Sequence, residues 1–252
     1  GDGEVADDGA GVAEHGAQHL AHLVERVLEA VAETAGGFAL AMEHFDWGSA
    51  YYRRHGAMMP ADGVDRLRAF DAIFFGAVGD PDLPDDLTLW GLRLAICQGL
   101  DQYANVRPTR LLAGVEGPLR PELGRGVDWV IVRENSEGEY AGVGGRAHRG
   151  LPIEVGMDVS VFTREGVERI CRFACELALS RPRRKLTVVT KSNAQRHGMV
   201  LWDEVCRSVI AGYPGLDVDW MLVDAMAARM VLKPAVAYRD VAHTRGMPRD
   251  NH

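Results

Sequence analysis

Arg133-Glu-Asn-Ser-Glu-Gly-Glu-Tyr140 follows directly on the apolar run Val127–Val132. A strand that delivers Arg, Glu, Asn and Tyr at its carboxyl end is where an open α/β sheet places ligand groups; a polar loop with ordinary charges reads equally well from these residues alone. Asp101-Gln-Tyr-Ala-Asn-Val-Arg107-Pro-Thr-Arg110 follows a helical stretch that carries Arg93. Arginines beside a strand end suit a small di-acid, because each guanidinium fork can hold a carboxylate through two hydrogen bonds. Lys191-Ser-Asn193 follows the run Leu186–Thr190, and Asp224 stands in the same relation to Val218–Val223. A lysine that is desolvated or set beside other cations can serve as a general base, whereas a solvated lysine capping a strand is the commoner outcome. His15, His19 and His22 have a spacing able to hold a metal, but no carboxylate or cysteine completes the set, and solvated histidines on an exposed helix face explain them as well.

Elements that must position these groups are visible in the periodicity. Leu20, Leu23, Val24, Val27, Leu28 and Val31 have helical spacing, closed by Gly36-Gly37. Phe38–Phe45 and Asp71–Val78 read as strands, with helical spacing over Pro60–Phe70 between them. A helix over Leu87–Leu100 follows, then strands at Val127–Val132, Lys185–Thr190 and Val218–Val223, with helices at Arg164–Leu179 and Trp202–Ile210. Strands alternating with helices predict an α/β protein. The Gly- and Pro-bearing stretch at about 138–160 interrupts the alternation, as a protruding β arm between subunits would. Residues 1–19 show no strand, and Ala235–His252 has no apolar periodicity, so neither end reads as a finished element.

Composition narrows the class. There are 28 Lys plus Arg against 36 Asp plus Glu, a net charge of −8 that argues against wrapping nucleic acid, which needs a basic face. With 47% hydrophobic and 25% charged residues, the chain has the means to bury a core. No apolar run reaches the roughly 20 residues of a membrane helix, and the acidic start does not resemble a signal peptide. The four cysteines make no CxxC pair, as expected of a reduced, cytoplasmic protein. Neither GxGxxG nor a Walker-type loop is present.

Taken in order, FDWGSAYYRRHG, FFGAVGDP, LWGLRL, DQYANVRP, VRENSEGEYAG, VVTKSNAQRHGMVLWDEV and VDAMAARMVLKP resemble the β-decarboxylating dehydrogenases of the isocitrate and isopropylmalate dehydrogenase family, in wording most like the tartrate and D-malate branch. The resemblance runs from about Val27 to Ala235. It implies a two-domain isopropylmalate-dehydrogenase-like α/β fold: an incomplete first domain over 1–100, a second over 101–235 with the arm, and a non-family tail over 236–252. It further implies NAD-linked oxidation and β-decarboxylation of a (2R)-hydroxy di-acid with Mn²⁺ or Mg²⁺, in a homodimer. Carried over, Arg107 and Arg133 grip substrate carboxylate, Tyr140 protonates the enol, Lys191 is the base, Asn193 lies near the nicotinamide and Asp224 is a metal ligand. Lys191 and Asp224 act in the partner subunit's site.

Departures from the pattern are as specific as the matches. Ten residues before Arg107, where many relatives carry the first substrate arginine, stands Cys97; Arg93, one helical turn earlier, is the candidate to reach the same carboxylate. The positions of the family's D-x3-D metal pair are Pro248 and His252, so the pair is absent. A segment for adenosine is missing, and a GDGIGPE-like opening loop is represented at best by Gly1-Asp-Gly3. A truncated or frame-shifted copy is the expectation, with catalysis impaired or the chain reduced to a di-acid-binding or subunit-interaction remnant.

Overall fold

The computed structural model describes residues 9–76, 78–124, 127–234 and 241–244, and their side chains from His22 to Pro234. The Gly1-Asp-Gly3 segment, the side chains of His15 and His19, and Pro248 and His252 lie outside the described residues. The chain divides into two compact units, Gly1–Leu100 and Asp101–His252. No helix among the described residues is long and apolar enough to cross a membrane.

The first unit is helical. Helix α1 (Gly9–Ala35) begins well before Leu20 and stops where Gly36 and Gly37 take positive φ. Helices α2 (Ser49–His55) and α3 (Gly63–Leu67) follow, and the helix predicted over Leu87–Leu100 is realised as α4 (Asp85–Thr88), a π-helical segment (Leu89–Leu94) and α5 (Ala95–Gly99). Met58, Leu67, Leu92 and Ile96 form its core, with Phe45, Trp47 and Val78 packed against them.

Phe38–Phe45 and Asp71–Val78, both predicted as strands, form no ladder among the described residues. Strand propensity is local, but a strand exists only when a neighbour takes its N–H and C=O groups. Phe38, Leu40, Met42, Phe74 and Phe75 are left exposed.

The second unit is built on a five-stranded sheet in the order β1-β2-β7-β5-β6: β1 (Ala104–Arg110), β2 (Asp128–Glu134), β5 (Lys185–Thr190), β6 (Asp217–Leu222) and β7 (Val241–Thr244). β2, β7, β5 and β6 run parallel, and β1 pairs antiparallel with β2. A short helix α6 (Pro121–Gly124) precedes β2. Helices α7 (Arg164–Ser180) and α8 (Gly198–Ile210) cover one face, α9 (Val223–Leu232) the other. The alternation along the strands says so: Val132, Leu186 and Val188 pack with Ile170, Trp202 and Val205, while Trp129 and Val189 pack with Met226. β5, buried along nearly its whole length, has the continuous apolar pattern of a strand covered on both faces.

The tail corrects the expectation that nothing finished follows Ala235. Val241–Thr244 is a central strand, paired with β2 on one side and β5 on the other. Four residues are too few for periodicity to reveal. What specifies the strand is the slot, since two flanking parallel strands each present a row of open backbone groups. The predicted arm is present as β3 (Gly138–Ala147) antiparallel to β4 (Val155–Val161), with Val143, Val155, Met157 and Val159 exposed.

Candidate active site

Parallel strands place their carboxyl ends on one edge of a sheet. The predicted groups collect there: Arg133 and Glu134 at the end of β2, Lys191 just past β5, and Asp224 in the first turn of α9, two residues past β6. With β7 between them, β2 and β5 are two strand spacings apart, about 10 Å.

Most of the acidic motif after β2 is scaffold. Glu134 is buried and its carboxylate accepts from the Ser136 N–H at 3.0 Å, the Ser136 hydroxyl at 2.6 Å and the Glu137 N–H at 2.6 Å. Asn135, also buried, donates its N–H to the Tyr103 carbonyl and its Nδ2 to the Gln102 carbonyl, and its Oδ1 accepts from Asn105 Nδ2 at 3.4 Å. Glu137 accepts from the N–H and hydroxyl of Thr163, whose Oγ1 in turn accepts from the Gly166 N–H at 2.9 Å. That chain of bonds satisfies the first turn of α7 and fixes the loop to it. Glu134, Asn135 and Glu137 thus hold the loop in place through their own side chains.

Arg133 and Tyr140 are different. Gly138 turns the chain at φ +68°, and β3 breaks register between Gly138 and Val143. Tyr140 lies in this irregular stretch and comes back over β2, so that Arg133 Nη2 donates to its phenol oxygen and the guanidinium carbon sits 4.8 Å from its ring centroid. Arg133 Nε is buried and has no hydrogen-bond partner. A buried guanidinium N–H without an acceptor is costly, and a carboxylate is the acceptor its geometry suits best.

Arg107 lies within β1, three places past its start, where the sequence places it beside a strand end. Asn105 pairs with Arg133 and Arg107 with Ile131, so all three polar side chains share the face of the sheet that α9 covers. Arg107 is exposed and donates its Nε to Asn105 Oδ1 at 3.1 Å. Asn105 thus links Arg107 to Asn135. Sequence reasoning passed over it, although its two-residue offset from Arg107 in a strand was a usable signal.

Lys191 Nζ donates to Asp224 Oδ2, and Asn193 is exposed on the turn that follows. Arg93 belongs to the first unit, half-buried on the π-helical segment, with Cys97 half-buried on α5. His22 is paired with Glu25 at 3.3 Å.

Residues 14–248 match isocitrate/isopropylmalate dehydrogenase. The chain belongs to that family. Within the family it is 66% identical over 210 residues to a probable tartrate dehydrogenase/decarboxylase of Agrobacterium vitis, and 48% identical over 211 residues to the decarboxylating D-malate dehydrogenase of Escherichia coli. Each comparison covers 83% of this chain and 58% of the relative, so the chain spans well under two thirds of the curated relatives it matches. Among solved structures, the isocitrate dehydrogenase of Methylococcus capsulatus is similar with a TM-score of 0.73 and 30% identity, over 84% of this chain and 59% of that one. The family match extends through β7, past the point at Ala235 where the motif resemblance stops.

The family's metal finds no complete donor set here. No group of three or more His, Cys, Asp or Glu comes together among the described residues. Asp224 offers one carboxylate, with Oδ2 engaged by Lys191. The described residues do not amount to a metal site.

Proposed function

We propose that this chain supplies the carboxylate-binding and proton-handling groups of an NAD-linked oxidative decarboxylase acting on a (2R)-hydroxy di-acid of the tartrate or D-malate kind. The observation that carries the reading is Arg133, whose buried and unpaired Nε stands beside the phenol of Tyr140. In this reading Arg133 holds a substrate carboxylate, with Arg107 as a further cation for the di-acid. Lys191 accepts the hydroxyl proton at Nζ; NAD, which Asn193 would help to hold, would supply the acceptor for the carbinol hydrogen as hydride. Loss of the β-carboxylate as CO₂ leaves an enolate, and the Tyr140 hydroxyl returns a proton to its carbon. A lysine whose Nζ is engaged by Asp224 is not available as a base until that pair opens, so substrate docking must displace it.

The two pairs, Arg133 with Tyr140 and Lys191 with Asp224, suit a homodimer in which each subunit lends its lysine and aspartate to the other's site. The exposed valines and methionine of the β arm are the surface we assign to subunit contact. Free cysteines fit a reduced, cytoplasmic setting. The test is NADH formation from D-malate or tartrate, with Mn²⁺, with Mg²⁺ and with chelator.

A second reading is favoured by the incomplete metal donor set: a di-acid-binding or subunit-interaction module that turns nothing over. It predicts a rise in melting temperature with D-malate and no NADH.

A further inference from the structure

We propose that Asp203 is a positioning residue for Lys191, acting through Ser192. The proposal deepens, and rests on, the reading of Lys191 as the proton acceptor.

The turn that carries Lys191 is closed by local bonds. Ser192 N–H donates to Thr190 Oγ1 at 3.2 Å, and the Lys191 carbonyl accepts from the N–H groups of Ala194 and Gln195 at 3.0 and 2.9 Å. These fix the shape of the turn, not its place. One further bond reaches out of it: Ser192 Oγ donates to Asp203 Oδ2 at 2.7 Å. Asp203 lies on α8 directly after Trp202, which is fully buried, packs edge-on to Phe162 at 6.4 Å, and belongs to the main core of the unit with Val205 and Cys206. α8 is therefore a rigid anchor, and Asp203 transmits its position to the lysine turn.

The other oxygen, Asp203 Oδ1, is buried without a hydrogen-bond partner. A partly buried carboxylate with one shielded, unsatisfied oxygen does nothing for α8, in whose second turn it sits. Its one bond in the structure is the link to Ser192. Lys191 is thus held at its tip by Asp224 and at its base by Asp203, so that displacing the Asp224 pair on substrate docking would free Nζ without freeing the backbone beneath it.

The chain has three lysines, Lys185, Lys191 and Lys233, so ¹³C-methylated lysine resonances can be assigned one by one. The experiment compares these resonances at fixed pH in the unsubstituted protein and in Ser192→Ala, Asp203→Ala and Asp203→Asn, together with kcat and KM for di-acid oxidation. Ser192→Ala and Asp203→Ala are expected to move the Lys191 resonance toward that of a solvated lysine while Lys185 and Lys233 stay put. Asp203→Asn keeps an acceptor for Ser192 and is expected to restore the Lys191 resonance. kcat should fall by about a hundredfold in the two alanine variants with KM little changed, the size of effect a small misplacement produces. An unmoved Lys191 resonance in Ser192→Ala and Asp203→Ala overturns the proposal, as does equal movement of all three lysines. Failure of the underlying reading looks different: Lys191→Met would keep its rate, whatever the resonances do.

Discussion

Lys191 and Asp224 are joined, Nζ to Oδ2, across the carboxyl ends of two adjacent parallel strands. Asp224 is two-thirds exposed, at 68% of its side chain, so the pair does little for folding, from nothing to about 1 kcal/mol. Asp224→Ala should therefore leave the melting temperature nearly unchanged. Lys191→Met should lower kcat for di-acid oxidation by about 10²- to 10⁴-fold, the usual contribution of a positioned base. Thermal melts and NADH formation on the same preparations check both.

Arg133 presents a planar guanidinium fork over the Tyr140 ring, and that geometry does not survive replacement by a point charge. Arg133→Lys is expected to raise KM for the di-acid and abolish the D-malate-dependent rise in melting temperature. Tyr140→Phe keeps the ring and removes only the hydroxyl that Arg133 Nη2 bonds. It should lower kcat with a smaller effect on KM, and steady-state kinetics with each variant separate the two roles.

Glu137 and Gly166 fit against each other at the start of α7. A Cβ on Gly166 would fall on the Glu137 carboxylate and push it off Thr163, so Gly166→Ala should destabilise the unit by about 0.5–1.5 kcal/mol, the net worth of the bond lost. Glu137→Ala removes the acceptor from Thr163 and should cost about 0.5–2 kcal/mol, as loss of a helix cap does. Urea denaturation of the two variants measures both.

The cysteines divide by burial. Cys171, Cys175 and Cys206 are buried, and Cys97 is half-buried. The hydrogen bond of Cys175 with Cys171, together with burial, pushes its thiol well above the ordinary range, so it stays protonated and unreactive. Titration with a thiol reagent should modify Cys97 in the native protein and the other three only after denaturant is added. Fast reaction of Cys175 without denaturant would contradict this packing.

The second unit was legible where a signal was long or repeated. Arg164–Leu179 and Lys185–Thr190 carry unbroken periodicities, and the structure closes them within a residue of the predicted ends. β1 was not legible, because Ala104–Arg110 carries Asn, two Arg and Pro without an apolar alternation, and its pairing with β2 is set from a distant part of the chain. β7 failed for the same reason, and Phe38–Phe45 for the converse one: strong strand propensity with no partner strand to pair it. At the site, residue types announced Arg133, Tyr140, Lys191 and Asp224. The supporting bonds of Asn105, Glu137 and Asp203 were hidden, because each depends on a helix or strand brought alongside by the fold.

Oxidation and decarboxylation of a hydroxy di-acid is the function proposed for this chain. It is measured by incubating the purified protein with NAD, Mn²⁺ and D-malate or tartrate and following NADH and CO₂ together. Equal formation of both, lost in Lys191→Met, is expected. A rise in melting temperature with the di-acid, accompanied by neither NADH nor CO₂, would contradict it and leave a binding module in its place.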